Sequence, residues 1–258
     1  MSGSGAGGIR PIPTERVIEK LDAYMRRRDY DGAGRHLAYW LEEAQLGGDL
    51  RGALTVRNEL IGHCRKTGQR EAALEHIDGA LALLEALDMT DTLVAGTTCV
   101  NAATALEAFS EHARALALFE RARWIYESAA EPPLRLLGGL YNNMGLTCAA
   151  LGRYEEAGAL YDRAMTCMGR VPGGALEQAV TCLNRADLVA ADAGMEAGEA
   201  QIFRLVEQAV ALLDGEGLAH DGYYAFVCEK CAPTLDHYGW FADAERLREE
   251  AERIYAGA

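Results

Sequence analysis

The sequence has few residues that break helices and no long hydrophobic run. Only six prolines occur in 258 residues, and the β-branched residues form no alternating pattern. An all-helical chain is therefore expected. No apolar stretch approaches the roughly 20 residues that a membrane helix needs. The N-terminal sequence MSGSGAGGIRPIP also lacks the apolar segment of a secretory signal, so the patterns disfavour a membrane-spanning or exported protein.

A disulfide framework and a basic surface are also missing. The seven cysteines are an odd number without disulfide-like spacing, which favours a reducing, cytoplasmic location. The net charge of −14 disfavours nucleic acid or an anionic membrane as the main partner, because both are polyanions.

The charge is unevenly distributed along the chain. Residues 1–70 carry 12 Lys and Arg against 9 Asp and Glu, whereas the remainder carries 13 against 30. One interpretation is that the excess charges are ordinary solvated helix faces. The other is an acidic surface for a basic partner, or attraction between the ends of two copies.

The stretch 141–168 contains two helical patterns separated by a short break with a glycine. The apolar positions from Tyr141 to Cys148 share one helix face, and those from Ala157 to Ala164 resume the spacing. Because the break is short, the two helices are expected to fold back on each other. The order of aromatic, aliphatic, glycine and alanine positions resembles the tetratricopeptide repeat, or TPR.

The same pattern recurs about every 42 residues. Ala157 is matched by Ala115 and Ala73 at spacings of 42, and by Ala33 a further 40 residues back. Later matches to Ala164 follow at spacings of 45 and 42, at Ala209 and Ala251. Six hairpins thus cover roughly Pro13 to Tyr255. Since one hairpin cannot bury its own apolar face, the hairpins are expected to stack on one another.

The resemblance implies an all-α fold, a right-handed α-solenoid of about six TPR-like helical hairpins. Residues 1–12 are expected to be a flexible lead, and residues 13–258 a single superhelical domain. The period is longer than the usual 34 residues, and is similar to that of kinesin light chains and Rap-type bacterial regulators. Pro233 lies inside the first helix of the sixth hairpin, where a kink or a helix break is predicted.

Catalytic and metal-binding motifs are not recognisable in the sequence. Cys228 and Cys231 form a CxxC pair, but both occupy repeat positions on the inward face of a first helix, where packing is the better interpretation. The scattered histidines and paired carboxylates form no known catalytic pattern. We therefore expect a non-enzymatic protein without a metal or cofactor.

A column of asparagines is the strongest functional signal. Asn143 lies two residues after Tyr141, and the equivalent positions hold Asn101 and Asn184. Asn142 is an additional neighbour, and Asn58 is its counterpart in the second hairpin. Asparagine is unfavourable inside helices because its amide competes for backbone groups, so repeated placements need a reason.

The TPR resemblance implies that this column lines the concave groove, where amides can bond the backbone of an extended peptide. The alternative is that each asparagine bonds the neighbouring hairpin and sets the stacking register. Further groove positions in the same register are Thr104, Glu107, Leu146 and Asp187. The central hairpins have no basic residues there, which disfavours a clamp for a C-terminal carboxylate and favours an internal segment.

Three functions remain open from the sequence. The first is a protein-interaction scaffold that binds a peptide segment or partner helix in the groove. The second is a regulatory module whose superhelix changes pitch when a small peptide binds. The third is a structural element that self-associates through oppositely charged ends.

Overall fold

The computed structural model describes residues 8–257, which form twelve α-helices and no strand. The helices are α1 (Thr14–Arg26), α2 (Tyr30–Leu46), α3 (Leu50–Lys66), α4 (Arg70–Ala86), α5 (Leu93–Ala108), α6 (His112–Glu127), α7 (Leu134–Ala150), α8 (Tyr154–Met168), α9 (Ala175–Ala193), α10 (Met195–Leu213), α11 (Gly222–His237) and α12 (Phe241–Gly257). Taken in consecutive pairs, their bounds match the six hairpins that the repeat predicts. The prediction of an all-α fold built from helical hairpins is confirmed.

Short polar turns begin and end the helices. The Asp29 carboxylate accepts the Gly32 N–H at 2.8 Å to cap α2, and Asp49 accepts the Gly52 N–H at 2.9 Å to cap α3. A side-chain oxygen at this position satisfies a backbone donor that the helix cannot. Gly152, between α7 and α8, has a φ of +73°, a left-handed conformation that glycine adopts without strain.

The chain divides into two compact units, Met1–Ile125 and Tyr126–Ala258. The boundary falls within α6. Each unit has its own core, in which the alanines of the repeat register are fully buried. Those alanines are Ala33, Ala73 and Ala115 in the first unit and Ala157, Ala164, Ala209 and Ala251 in the second. Small residues at these positions let neighbouring helices approach closely, as the repeat pattern predicts. That residues 13–258 are one superhelical domain stays a prediction.

The predicted flexible lead, residues 1–12, lies mostly outside the described residues. Its described end is held against the turn between α2 and α3. The Arg10 N–H donates to the Gly47 carbonyl oxygen at 2.9 Å, and the Ile12 N–H donates to Asp49 Oδ2 at 2.9 Å. Ile12 is buried against the core of the first unit. Residues 10–12 are therefore anchored to the first unit.

Helix α11 continues through Pro233 without interruption, from Gly222 to His237. The predicted helix break is therefore wrong. Pro233 is exposed, so its ring points away from the core and removes one backbone hydrogen bond at the surface. A kink at this position stays a prediction.

The cysteines pack as the register predicts. Cys228 and Cys231 are buried in the core of the second unit, and burial raises the pKa of both thiols. Four other cysteines are also buried, and only Cys167 is half-buried. A buried thiol with a raised pKa is a poor nucleophile and metal ligand.

None of the helices between residues 8 and 257 is long and apolar enough to cross a bilayer. This agrees with the absence of long apolar runs in the sequence.

Candidate functional site

A recess opens in the second unit between three first helices, α7, α9 and α11. Helix α9 packs against both α7 and α11. The recess encloses about 140 Å³. Its lining residues are Gly138, Gly139, Asn142, Asn143, Glu177, Val180, Thr181, Tyr223, Phe226, Val227 and Lys230. We call this surface the first-helix face.

Equivalent repeat positions build the recess. Phe226 of α11 stands where α9 has Val180 and α7 has Gly139. A Cβ added at Gly139 would meet no heavy atom within 4 Å. The missing side chain on α7 therefore creates an opening opposite an aromatic ring.

The apolar part of the recess consists of exposed rings over a buried floor. Tyr223 is 47% exposed and Phe226 is 52% exposed. Their rings lie nearly parallel, with centroids 6.3 Å apart, while Val180 and Val227 are buried beneath. Large aromatic side chains exposed together are typical of interaction surfaces.

Asn142 is tied into the junction between α7 and α9. Its Oδ1 accepts a hydrogen bond from Thr181 Oγ1 at 3.1 Å and another from Asn184 Nδ2 at 2.9 Å. Asn142 is only 8% exposed. These contacts support the stacking role for Asn142 and Asn184, because each bond joins two successive hairpins.

Asn143 has a different environment from its neighbour. It lines the recess, is half-buried, and makes no side-chain hydrogen bond to the described residues. Its amide can therefore offer a donor and an acceptor to a ligand. The backbone carbonyl of Asn143 accepts the Thr147 hydroxyl at 3.2 Å, as in many helices.

Glu177 supplies a negative charge at the edge of the recess. Its Oε1 accepts a hydrogen bond from Arg135 Nη1 at 2.6 Å, while Oε2 is buried without a hydrogen bond of normal geometry within residues 8–257. The carboxylate lies near the Tyr223 hydroxyl. Burial, followed by the Glu177 charge, raises the pKa of Tyr223 to about 12.

The two remaining predicted residues of the second unit lie further along the first helices. Asp187 is exposed and accepts a hydrogen bond from the Tyr238 hydroxyl at 2.8 Å. Desolvation by neighbouring groups raises the pKa of its carboxylate although the residue reaches the surface, and the Tyr238 hydrogen bond and His237 oppose this effect. Leu146 is half-buried. Neither residue lines the recess.

The other predicted residues belong to the first unit. Asn101 is half-buried, and Thr104 Oγ1 donates to the Val100 carbonyl oxygen at 2.8 Å. Glu107 Oε1 contacts His112 Nδ1 at 3.0 Å. The structure thus groups Asn142, Asn143 and Asn184 within one unit. That Asn101 continues the same column stays a prediction.

Several recess residues were not predicted from the sequence. Gly139, Val180, Tyr223 and Phe226 were missed because apolar helix positions usually belong to the core, and Glu177 was missed because a helical carboxylate usually lies on a solvated face. The repeat register contained the signal, since these residues lie five or two positions before the Tyr141 equivalents. Lys230 occupies on α11 the position that Asn143 has on α7, two residues after the Tyr141 equivalent.

Among residues 8–257, no group of three or more His, Cys, Asp or Glu side chains is arranged to hold a metal ion. The recess is instead lined by two amides, two hydroxyl groups, one carboxylate, one ammonium group and apolar groups. Such groups bind by hydrogen bonding and burial of apolar surface.

Comparison with solved structures places the fold among TPR-like repeat proteins. BtubC from P. vanneervenii is 18% identical with a TM-score of 0.55, over 96% of this chain and 92% of that one. A kinesin light chain candidate from Podosopora anserina with nearly identical TPR-like repeats is 18% identical, with a TM-score of 0.53 over 79% and 95% of the two chains. MamA is 13% identical, with a TM-score of 0.53 over 80% and 96%.

These likenesses define the class of fold, a TPR-like α-solenoid. No protein-family model and no curated protein sequence matches the chain. Because the sequence identities are low, these similarities establish the fold but do not identify a binding partner.

Proposed function

We propose that the protein is a non-enzymatic interaction scaffold that binds a segment of a partner protein on the first-helix face of the second unit. The ligand is a peptide segment or a helix, held without a cofactor or a covalent step. The recess between α7, α9 and α11 carries this proposal, because it combines exposed aromatic rings with the Asn143 amide, which makes no side-chain hydrogen bond within residues 8–257. The TPR-like fold supports it, since stacked hairpins present extended surfaces.

Each part of the recess has a role in this function. Tyr223 and Phe226 supply apolar area that a partner can bury. The Asn143 amide bonds the partner's backbone, whatever its side chains, while Asn142 holds the junction beneath it. Leu146 and Asp187 are proposed to extend the contact along the first helices of the second unit, and Asn101, Thr104 and Glu107 are proposed to bind a partner segment on the first unit.

Capture of partner proteins from an extract of the source cells tests this function. The immobilised wild-type chain and its Phe226→Ala and Asn143→Ala variants are compared by quantitative mass spectrometry. We expect both variants to retain smaller amounts of the proteins that the wild type retains, because each variant lacks one side chain that lines the recess. Hot-spot aromatic contacts are commonly worth about 2 kcal/mol or more.

Phe203→Ala is the matched control. Phe203 is 54% exposed and lies on α10 in the same unit, where its ring contacts Trp240 at 5.5 Å. Removing it deletes a comparable exposed ring outside the recess. If the same proteins are retained equally by wild type, Phe226→Ala and Asn143→Ala, the first-helix face is not the binding surface.

A further inference from the structure

The recess beside Gly139 has the dimensions of a single side chain. It encloses about 140 Å³, and the position of a Cβ on Gly139 is open. A cavity of about 150 Å³ lined by apolar residues accommodates a benzene-sized group. The recess therefore has room for one leucine, methionine or phenylalanine side chain.

The walls of the recess are apolar where such a side chain would enter. Val180 and Val227 form the buried floor, and the Phe226 ring, 52% exposed, forms one side. An incoming apolar group would be removed from water together with part of this ring. Burial of apolar area on both partners is the main favourable contribution to such a contact.

The charges around the recess differ between its two ends. Glu177 Oε1 is paired with Arg135, and Oε2 is a buried acceptor without a hydrogen bond of normal geometry in the described chain. Tyr223 shares this end, whereas Lys230 lies about two turns further along α11. The Arg135 guanidinium offsets the Glu177 charge, and the buried Oε2 lies out of reach of an incoming side chain, so neither end of the recess alone attracts a cation.

The second unit has a net negative charge, which is complementary to a basic ligand. Residues 126–258 carry 10 Lys and Arg against 21 Asp and Glu. Such an excess of negative charge favours the approach of basic segments and disfavours acidic ones.

We infer that the recess is an anchor pocket for one bulky apolar side chain of a partner segment that carries a net positive charge. This inference rests on the proposed function and specifies which segments the first-helix face selects.

Selection from a displayed library of short random peptides on the full-length chain tests the pocket. The enriched peptides are expected to share a bulky apolar residue and a net positive charge. Gly139→Leu places a side chain at the opening, where a Cβ would meet no heavy atom within 4 Å, and is expected to weaken the binding of these peptides about tenfold or more, as loss of an anchor contact does. Matched peptides in which glutamine replaces the basic residues are expected to bind more weakly than the originals, and this difference is expected to shrink as the salt concentration is raised.

Gly158→Leu is the matched control for Gly139→Leu. Gly158 is also a helical glycine of the second unit, on α8, where a Cβ would meet only Leu188 Cδ2 at an ordinary 3.8 Å. Both variants raise helix propensity equally, but only one fills the recess. The control is expected to bind the enriched peptides like the wild type.

The outcomes separate the pocket from the wider function. Peptides that depend on Asn143 but bind Gly139→Leu as tightly as the wild type would overturn the anchor pocket and leave the binding face intact. The same conclusion follows if the enriched peptides share no apolar residue. If no peptide is enriched over the background of an uncoated surface, both the pocket and the binding face are rejected.

Discussion

The two units use the same pair of residues at equivalent helix junctions but arrange their hydrogen bonds differently. In the first unit, Asn58 Nδ2 of α3 donates to Thr98 Oγ1 of α5 at 3.0 Å. In the second unit, Thr181 Oγ1 of α9 donates to Asn142 Oδ1 of α7 at 3.1 Å. The direction of the bond is reversed although the repeat register is the same.

The amide oxygens of the two asparagines also differ in the number of hydrogen bonds that they accept. Asn142 Oδ1 also accepts a bond from Asn184, whereas Asn58 Oδ1 is buried without a hydrogen-bond partner among residues 8–257. A buried acceptor without a donor costs free energy. The comparison teaches that a repeat reproduces which residues meet at a junction, while the third partner decides whether the polar atoms are satisfied.

Asn142→Ala is expected to have the largest effect on stability. It removes an acceptor shared by Thr181 and Asn184 in a buried junction, so the free energy of unfolding should fall by about 1–3 kcal/mol. Urea denaturation followed by circular dichroism measures this change. A loss below about 0.5 kcal/mol, within the range of ordinary surface substitutions, would show that Asn142 does not stabilise the junction.

Asn58→Ala is expected to cost less than Asn142→Ala, about 1 kcal/mol or below. It removes the bond to Thr98 but also removes an unsatisfied buried oxygen, and these effects oppose each other. The same denaturation experiment compares the two variants. A double-mutant cycle with Thr98→Val measures the Asn58–Thr98 contribution itself. If Asn58→Ala is the more costly change, the proposed difference between the junctions is wrong.

Mild acid should act on the first unit through two histidines. Burial lowers the pKa of His63, partly opposed by Asp31, and burial together with Arg57 lowers the pKa of His76. Because the fold favours their neutral forms, the stability that they contribute is present above the unfolded pKa of about 6.5 and is lost as the pH falls. We expect the free energy of unfolding to decrease between about pH 7 and pH 5.

The variant His63→Gln tests this acid sensitivity. Removing one of the titrating groups should make the free energy of unfolding less dependent on pH across that interval. Histidine resonances followed by NMR would report the two pKa values directly. A wild-type stability that rises on acidification, or an unchanged slope in the variant, would contradict the role of His63.

Asn143→Ala is expected to have the smallest effect on stability, within about 0.5 kcal/mol. Its amide makes no side-chain hydrogen bond to the described residues, so little is lost when it is removed. Affinity for peptides selected on the wild type is nevertheless expected to fall, which isothermal titration measures. A large loss of stability would instead place Asn143 among the stacking residues.

The hairpin architecture could be predicted because its signal is repeated. Alanines at a spacing of about 42 residues mark helix contacts, and Ala73, Ala115 and Ala157 are all fully buried. Each repeat provides an independent sample of the same steric requirement, so a few divergent positions do not obscure the pattern.

The candidate site was harder to predict because its features differ between repeats. Asn142 and Asn143 are adjacent in sequence, yet one is pinned in a junction and the other faces the recess, a difference set by helix rotation. The hydrogen bond from Thr181 to Asn142 could not be predicted, since threonine is common within helices. The opening at Gly139 depends on the absence of a side chain opposite Phe226, which only the packed helices reveal.

The anchoring of residues 10–12 bears on where the chain can be shortened. A fragment that begins at Thr14 would lack the Ile12 N–H, which donates to the buried Asp49 carboxylate. It would also lack the Ile12 side chain, which is buried in the core of the first unit. Asp49 would keep its bond to the Gly52 N–H, but its second oxygen would need water in place of the lost donor. A fragment that begins at the first helix would therefore lose contacts that stabilise the first unit. An N-terminal truncation should retain Arg10 and the residues that follow it.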